Sequence, residues 1–133
     1  MRVTADTNIY IPALLFGGLP GAFLDLAIFG AFTLVISPAI LDELEEKLLA
    51  KFKISQADER AIRQKFVAAA DVVIPTRTID AIEDEPDDNR VLECAVEGAA
   101  DFIVSGDRHL LAIGTFQAMP IVKVRQFLDS IEH

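Results

Sequence analysis

Cysteine is almost absent from this sequence, since Cys94 is the only one among 133 residues. A single thiol cannot form an internal disulfide, which suits a protein of a reducing compartment. Cys94 lies in a helical stretch beside Leu92 and Ala95, so a small buried side chain is favoured over a reactive nucleophile. Because no histidine or second cysteine is spaced to join it, the sequence disfavours both a sulfur-based metal site and thiol chemistry.

Long apolar runs are lacking as well. No stretch of eighteen apolar residues occurs, which argues against a membrane-spanning helix. The N-terminus turns polar by Asp6, without the apolar segment and cleavage site of a secretory signal. We therefore expect a cytoplasmic protein that does not enter membranes. Hydrophobic residues make up 52% of the chain, which excludes disorder and predicts a well-filled core.

Basic residues are scarce relative to acidic ones. Twelve Lys and Arg stand against twenty-one Asp and Glu, and the net charge is −9. Such a chain does not bind nucleic acid by simple cationic attraction. Two bound divalent cations would bring the net charge to about −5 and would neutralise their own surroundings further. An enzyme of this composition that acts on nucleic acid would therefore depend on metal.

Short apolar runs alternate with helical patterns along the whole chain. The runs predict five β-strands, at residues 3–5, 32–36, 71–75, 102–104 and 120–124, the last at the edge of the sheet. Helices are predicted at residues 8–16, 22–29, after 37, after 55, 88–97, 107–113 and 125–131. Ser37 and Ser55 are expected to cap two of these helices and Gly98 to end a third. This alternation predicts one α/β domain over residues 1–133, with a parallel sheet covered on both faces.

Four acidic residues stand near points where a predicted strand ends or a predicted helix begins. They are Asp6, Glu43, Asp88 and Asp107. Residues that follow different strands of an open parallel sheet converge in one crevice, so we expect these carboxylates to meet. Each also has a simpler interpretation: the aspartates as helix caps or first-turn acids, and Glu43 as the ion-pair partner of Lys47. The metal hypothesis therefore depends on their joint occurrence.

Crowded carboxylates repel each other unless a cation neutralises them. Oxygen ligands without cysteine or a suitably spaced histidine favour a hard ion, Mg²⁺ or Mn²⁺. One or two such ions can activate water and stabilise the leaving oxygen of an in-line displacement at phosphorus. The four acids therefore predict hydrolysis of phosphodiester bonds.

Four ordered segments resemble the PIN-domain nucleases, and in particular the VapC-like toxins of prokaryotic toxin-antitoxin pairs. The segments are residues 5–8, 37–44, 85–95 and 104–111, which together span nearly the whole chain. One departure is Glu85, which stands where many relatives carry aspartate before the proline. The long acidic approach to the fifth predicted helix leaves open whether Glu85 or Asp87 also touches metal or RNA.

This resemblance implies a three-layer α/β/α fold with a five-stranded, mostly parallel sheet. It also implies a ribonuclease that uses Mg²⁺ or Mn²⁺. The catalytic metal ligands it implies are Asp6, Glu43, Asp88 and Asp107. Asn8 and Ser105 would hold water or carboxylate oxygens beside them. The partners it implies are an RNA substrate, a second copy in a homodimer and a small antitoxin that enters or covers the acidic groove.

Other proteins with an aspartate after the first strand fit less well. A phosphatase that forms an aspartyl-phosphate needs a second acid at position 8, and Asn8 cannot act as one. A receiver domain needs a lysine near the end of the sheet, but Lys123 falls inside the predicted edge strand. The remaining alternative is a non-catalytic PIN-like module that uses its acids to bind metal or a partner.

Six cations fall on the two middle helices. They are a candidate contact for the RNA backbone or for an acidic partner segment, although a solvated face is the favoured explanation. These cations are Lys47, Lys51, Lys53, Arg60, Arg63 and Lys65.

Overall fold

The fold is built on a six-stranded sheet, which the computed structural model describes within residues 1–131. Glu132 and His133, the last two residues of the predicted domain, lie outside the described residues. The strands are β1 (Arg2–Ala5), β2 (Thr33–Ile36), β3 (Asp71–Val72), β4 (Phe102–Val104), β5 (Thr115–Phe116) and β6 (Met119–Val122). Their order is β3-β2-β1-β4-β6-β5, and every neighbouring pair is parallel except β5 with β6.

Seven helices within residues 1–131 connect these strands. They are α1 (Thr7–Leu15), α2 (Gly18–Ile28), α3 (Pro38–Ala50), α4 (Gln56–Ala69), α5 (Asp88–Glu97), α6 (Arg108–Ile113) and α7 (Val124–Ile131). Strands and helices alternate for most of the chain, as the apolar runs indicated. The predicted three-layer α/β fold is therefore confirmed.

The predicted number of five strands is wrong by one. Phe116 pairs with Met119 in a hairpin, so β5 lies outside β6 and β6 is not the edge strand. The two turn residues, Gln117 and Ala118, have φ of 47° and 68°, and positive φ at both positions is typical of a type I′ turn. Asparagine and glycine usually mark such a turn, so this hairpin carries no local sequence signal.

Two serine caps begin helices where the sequence predicts them. Ser37 Oγ accepts a hydrogen bond from the backbone amide of Ile40 at 3.4 Å, and Ser55 Oγ accepts one from that of Asp58 at 3.1 Å. Each cap satisfies one of the amides that a first helical turn leaves without a partner. Gly98 ends α5 as expected.

Three other predicted boundaries are wrong by two residues or more. Strand β6 ends at Val122 instead of residue 124, so Lys123 follows the strand and does not lie inside it. Helix α2 begins at Gly18 instead of residue 22, because Gly17 turns the chain with a φ of 77° and Pro20 is tolerated in a first helical turn. Strand β3 ends at Val72 instead of residue 75. Its neighbour β2 ends at Ile36, so the strand has no partner to pair with further along.

The two central strands determine where the candidate site lies. Strand β1 pairs with β4 so that Ala5 lies beside Val104. Asp6 and Ser105, the next residues, therefore leave the sheet side by side at its carboxyl edge. Both strands are almost entirely buried, which fixes this edge within the core.

An aromatic cluster ties the last helix to the core. The ring of Phe127 on α7 contacts Phe23, Phe32 and Phe102, with centroids 5.6, 5.2 and 5.5 Å away. The rings meet edge to face, the arrangement that favourable aromatic quadrupoles produce. Helix α7 is therefore held against α2, β4 and the residues before β2.

Cys94 is buried, as its apolar neighbours predict. Its Sγ lies 3.6 Å from Thr4 Oγ1, and the side chain has no solvent exposure. Burial raises the pKa of the Cys94 thiol to about 11, so the thiol is protonated at neutral pH and is a poor nucleophile.

Among the described residues, no single helix is both long and apolar enough to cross a membrane. Helices α1 and α2 together reach the required length and apolarity, but they are bent by 98° relative to each other. Both helices contribute side chains to the buried core, including Tyr10 and Phe23.

Candidate metal-binding active site

A polar cavity of about 310 Å³ opens at the carboxyl edge of the sheet. The four acids predicted from the sequence all line it, although they come from four separate segments: the end of β1, α3, the start of α5 and the turn after β4. The lining residues are Asp6, Thr7, Asn8, Glu43, Lys47, Lys51, Glu85, Asp87, Asp88 and Asp107. The chain thus brings the four acids to one cavity, and their role as ligands stays a prediction.

Asp6 occupies the position before α1 but does not cap that helix with its side chain. Its Oδ2 instead accepts a hydrogen bond from Ser105 Oγ at 2.5 Å. Its Oδ1 is buried without a hydrogen-bond partner among the described residues. Burial, with smaller contributions from the charges of Asp107 and Glu43, raises the pKa of Asp6 to about 6, even though Ser105 and Lys47 act in the opposite direction. The helix-cap interpretation of Asp6 is therefore wrong.

Asp107 both caps a helix and lines the cavity. Its Oδ1 accepts hydrogen bonds from the backbone amides of His109 (2.8 Å) and Leu110 (3.2 Å) at the start of α6. Its own amide donates to Ser105 Oγ at 2.9 Å. Ser105 therefore connects Asp6 to the turn that carries Asp107, as the expectation that it steadies a carboxylate implies.

Asp88 and Asp107 shift each other's pKa in opposite directions. Burial, a hydrogen bond to Asp107 and nearby negative charges raise the pKa of Asp88 to about 8. Burial alone would raise the pKa of Asp107, but the hydrogen bonds from Asp88 and from two backbone amides outweigh it and lower that pKa. When both groups are ionised, Asp88 Oδ2 is a buried oxygen without a donor. Such an oxygen is costly unless a cation faces it.

Glu43 makes the ion pair that its spacing suggests and still lines the cavity. Its Oε1 lies 3.0 Å from Lys47 Nζ, one turn along α3. The same ammonium group donates to Thr7 Oγ1 at 3.0 Å. The sequence predicted Lys47 as the helix partner of Glu43 and as one of six candidate contacts for RNA, and the structure places it at the wall of the acidic cavity with Lys51.

The acidic loop before α5 is held by the side chain of Asn89. Its Oδ1 accepts hydrogen bonds from the amides of Ala81 and Ile82, both at 2.9 Å, and its Nδ2 donates to the carbonyl of Ile82 at 2.8 Å. This loop supplies Glu85 and Asp87 to the cavity wall. Sequence reasoning missed the role of Asn89, because its burial and its contacts with the loop are visible only in the structure.

A model of the PIN domain family matches residues 2–109, which include all four acids. The chain belongs to the PIN-domain family. Over 118 residues it is 32% identical to MJ1680, an uncharacterized protein of Methanocaldococcus jannaschii, covering 85% of this chain and 75% of that protein. PIN domains are generally nucleases, so this protein falls among hydrolases of nucleic acids.

Two solved structures share the fold of this PIN domain. PAE2754 from Pyrobaculum aerophilum superimposes with a TM-score of 0.61 at 16% identity, over 98% of this chain and 88% of that one. VapBC2 from Rickettsia felis, a complex bound to a DNA fragment from its promoter, gives 0.62 at 14% identity, over 91% and 97%. At such low identity, the likeness shows the common fold alone.

The charges around the cavity of this PIN domain suit a hard cation. Six carboxylates and two lysines line it, so the negative groups are not balanced by protein cations. Asp6 Oδ1 and Asp88 Oδ2 are buried oxygens that a cation would satisfy. Within residues 1–131, no three acidic, histidine or cysteine side chains are already drawn together as a ligand set. The residues therefore fit an oxygen-bound ion, which would have to draw them closer.

The six cations predicted on α3 and α4 divide between different surroundings. Lys47 and Lys51 line the acidic cavity. Arg63 pairs with Asp42 at 3.0 Å and Glu45 at 3.5 Å. Lys65 borders a separate apolar cavity between α1, α2 and α4. Only part of the predicted set therefore lies where it can contact a substrate of the acidic cavity.

The raised pKa of Asp88 predicts how the metal-free protein responds to pH. The folded state binds this proton more tightly than the unfolded state, where the ordinary pKa is 3.8, so stability falls as pH rises from about 4 through about 8. Asp88→Asn removes this contribution. We expect the melting temperature of wild type, measured in chelator, to fall relative to that of the variant across this range.

The difference in melting temperature between wild type and Asp88→Asn should not change with pH below pH 4, where the Asp88 carboxyl is protonated in both the folded and the unfolded state. Saturating Mg²⁺ should reverse its sign at pH 8, because metal binding competes with the proton. If the melting temperatures of the two proteins changed in parallel from pH 4 to pH 9 in chelator, the raised pKa of Asp88 would be contradicted.

Proposed function

We propose that this PIN domain is an endoribonuclease that uses Mg²⁺ or Mn²⁺ to hydrolyse phosphodiester bonds in RNA. One observation carries the proposal: acids from four separate segments line one cavity, and two of their buried oxygens have no hydrogen-bond donor. Repulsion among these groups is tolerable only if something neutralises them. A divalent cation together with a phosphate supplies both the neutralising charge and the reacting group.

The residues assigned to hold the ion are Asp6, Glu43, Asp88 and Asp107. A bound divalent ion lowers the pKa of water and stabilises negative charge on the reacting phosphate. Ser105 keeps the Asp6 carboxylate in one orientation, and Asn8, which is exposed on the cavity wall, can donate to a phosphate oxygen or a water. Lys47 and Lys51 add positive charge where the RNA backbone would enter.

Cleavage of a generic RNA by the pure protein tests this assignment. Wild type should cleave in Mn²⁺ or Mg²⁺ and lose activity in chelator. Asp88→Asn should be at least about 100-fold slower, because a group that holds the ion contributes several kcal/mol to the transition state. The matched control is Asp84→Asn, an exposed aspartate of the same loop that does not line the cavity. Equal cleavage by wild type and Asp88→Asn would reveal a contaminating nuclease.

We further propose that the protein is the toxin of a toxin-antitoxin pair, acts in the cytoplasm and forms a homodimer. The support is the shared fold with VapBC2, which was solved as a complex, together with the family resemblance of the acidic segments. Exposed Leu19 and Ile28 on α2 provide apolar surface for a protein partner. Growth arrest on expression of wild type but not of Asp88→Asn, relieved by a small adjacent gene, is the expected result.

A non-catalytic PIN-like module is the second candidate. It is favoured by the observation that no three acids within residues 1–131 are preassembled as a ligand set. Such a module would bind Mn²⁺ without cleaving RNA. The cleavage assay, read beside calorimetric titration of Mn²⁺, separates the two functions.

A further inference from the structure

A second cleft, of about 230 Å³, adjoins the acidic cavity. The two share four lining residues, namely Thr7, Asn8, Lys47 and Lys51. The second cleft differs in its remaining wall, which is largely apolar and includes the rings of Phe16 and Phe52. A chain bound across the acidic cavity would therefore continue into an apolar cleft that two lysines border.

The two rings are held at helix ends and face solvent. Phe16 follows α1 and is 79% exposed, and its backbone amide donates to the carbonyl of Pro12 at 2.8 Å. Phe52 follows the end of α3 and is 41% exposed. Single exposed aromatic residues are ordinary on protein surfaces. Two on the wall of one cleft, directly beside a candidate catalytic cavity, form a surface on which a flat ligand can stack.

The charges of the cleft indicate an anionic ligand. Lys51 is exposed, and among the described residues no carboxylate pairs with it. Lys47 is occupied by Glu43 and Thr7 in the absence of ligand. A ligand with a flat apolar face and a phosphate matches this arrangement, because aromatic rings stack on nucleobases and lysines contact the backbone.

We infer that this cleft binds an unpaired nucleotide next to the scissile phosphate, with its base against Phe16 or Phe52 and its phosphate at Lys51. The inference rests on the proposed ribonuclease function and adds to it a subsite for one base, formed by Phe16 and Phe52 outside the acidic cavity. In a duplex, the base faces are covered by neighbouring bases, so they are not available to the rings.

Binding of labelled single-stranded RNA decamers tests the inference. Fluorescence anisotropy in Ca²⁺, with intact RNA verified on a gel, gives the Kd for the full decamer and for decamers with one abasic position. The double variant Phe16→Ala/Phe52→Ala should raise the Kd about tenfold, since each stacked base contributes measurably. One abasic position should raise the wild-type Kd by a similar factor but should leave that of the double variant unchanged. This coupling distinguishes stacking from a general loss of affinity.

Three controls make the test specific. Phe29→Ala removes an aromatic ring that is 85% exposed but borders neither cavity, and it should leave the Kd within about twofold. Phe16→Tyr keeps a stacking face and should bind like wild type. Lys51→Ala should reduce the salt dependence of binding by about one counterion.

Two results would overturn the inference: an abasic penalty that persists in the double variant, or an unchanged Kd accompanied by a shift from dimer to monomer in sedimentation. The second result would assign the rings to contact with another copy of the chain. If the coupling is present but wild type cleaves nothing in Mn²⁺, the ribonuclease function fails while the stacking site stands. If wild type cleaves RNA but the coupling is absent, the ribonuclease function stands and the stacking site fails.

Discussion

Asp6→Asn is expected to lower metal-dependent RNA cleavage by at least about a thousandfold while making the metal-free protein more stable. The loss follows because the central carboxylate of the cavity would no longer bind the ion, which removes several kcal/mol of transition-state stabilisation. Asparagine retains the shape of the side chain and an oxygen that can accept the hydrogen bond of Ser105. The variant therefore changes charge more than structure.

The gain in stability follows from the raised pKa of Asp6. Its pKa is about 6 in the folded protein and 3.8 in an ordinary setting, so above pH 6 the buried charge opposes folding by up to about 3 kcal/mol. This penalty develops as pH rises from about 4 to 6 and is absent below pH 4. Urea unfolding in chelator at pH 8 should show Asp6→Asn to be more stable than wild type.

Two further measurements test this prediction. Asp84→Asn, which changes an exposed charge outside the cavity, should alter neither cleavage nor unfolding appreciably. Added Mn²⁺ should stabilise wild type more than Asp6→Asn, because only the native cavity binds it with full affinity. A metal-free Asp6→Asn protein that unfolds at lower urea than wild type would show that the carboxylate stabilises the fold, contrary to the crowded-charge argument.

Phe127→Ala is expected to have the largest effect on stability, a loss of about 3–5 kcal/mol. Phe127 is fully buried and touches three other aromatic rings, so its removal leaves a cavity and also breaks the edge-to-face contacts. For a domain of this size, the loss corresponds to a fall in melting temperature of about 10–20 °C. Calorimetry at one pH in chelator measures it directly.

Phe29→Ala provides the matched control because it deletes the same side chain at a position that is 85% exposed. Its free energy of unfolding should change by no more than about 0.5 kcal/mol. Phe127→Leu, which fills part of the space, should lie between the two. A loss below about 1 kcal/mol for Phe127→Ala would mean that α7 repacks or contributes little to the core.

The elements that sequence predicts well are those with strong local signals. Ser37 and Ser55 mark helix starts because their hydroxyls satisfy free amides, and the apolar runs of β1 and β4 mark buried central strands. Because β1 and β4 are parallel neighbours, Asp6 and Asp107 lie at the same edge of the sheet. These inferences need only local chemistry and one rule of topology.

The features that sequence misses depend on tertiary partners or on unusual backbone conformation. The turn at Gln117 adopts a conformation that glutamine rarely signals, so the strand at the sheet edge was not foreseen. In the sequence Asn89 looks like an ordinary residue of a first helical turn, because its hydrogen bonds to Ala81 and Ile82 form only when the loop folds over it. Lys47 is a helix-surface cation by its spacing, and its place in the cavity is visible only when α3 meets the start of α1.

Asp107 caps helix α6 and also lines the cavity, so a change in one role affects the other. The oxygen that fastens the first turn of the six-residue helix α6 belongs to a carboxylate that faces the cavity. Fraying of this short helix would move that carboxylate away from the cavity. We therefore expect metal-dependent RNA cleavage to be lost on warming at temperatures where the sheet is still folded. Conversely, an ion seated in the cavity should slow hydrogen exchange at the amides of His109 and Leu110, and those two protons become reporters of occupancy.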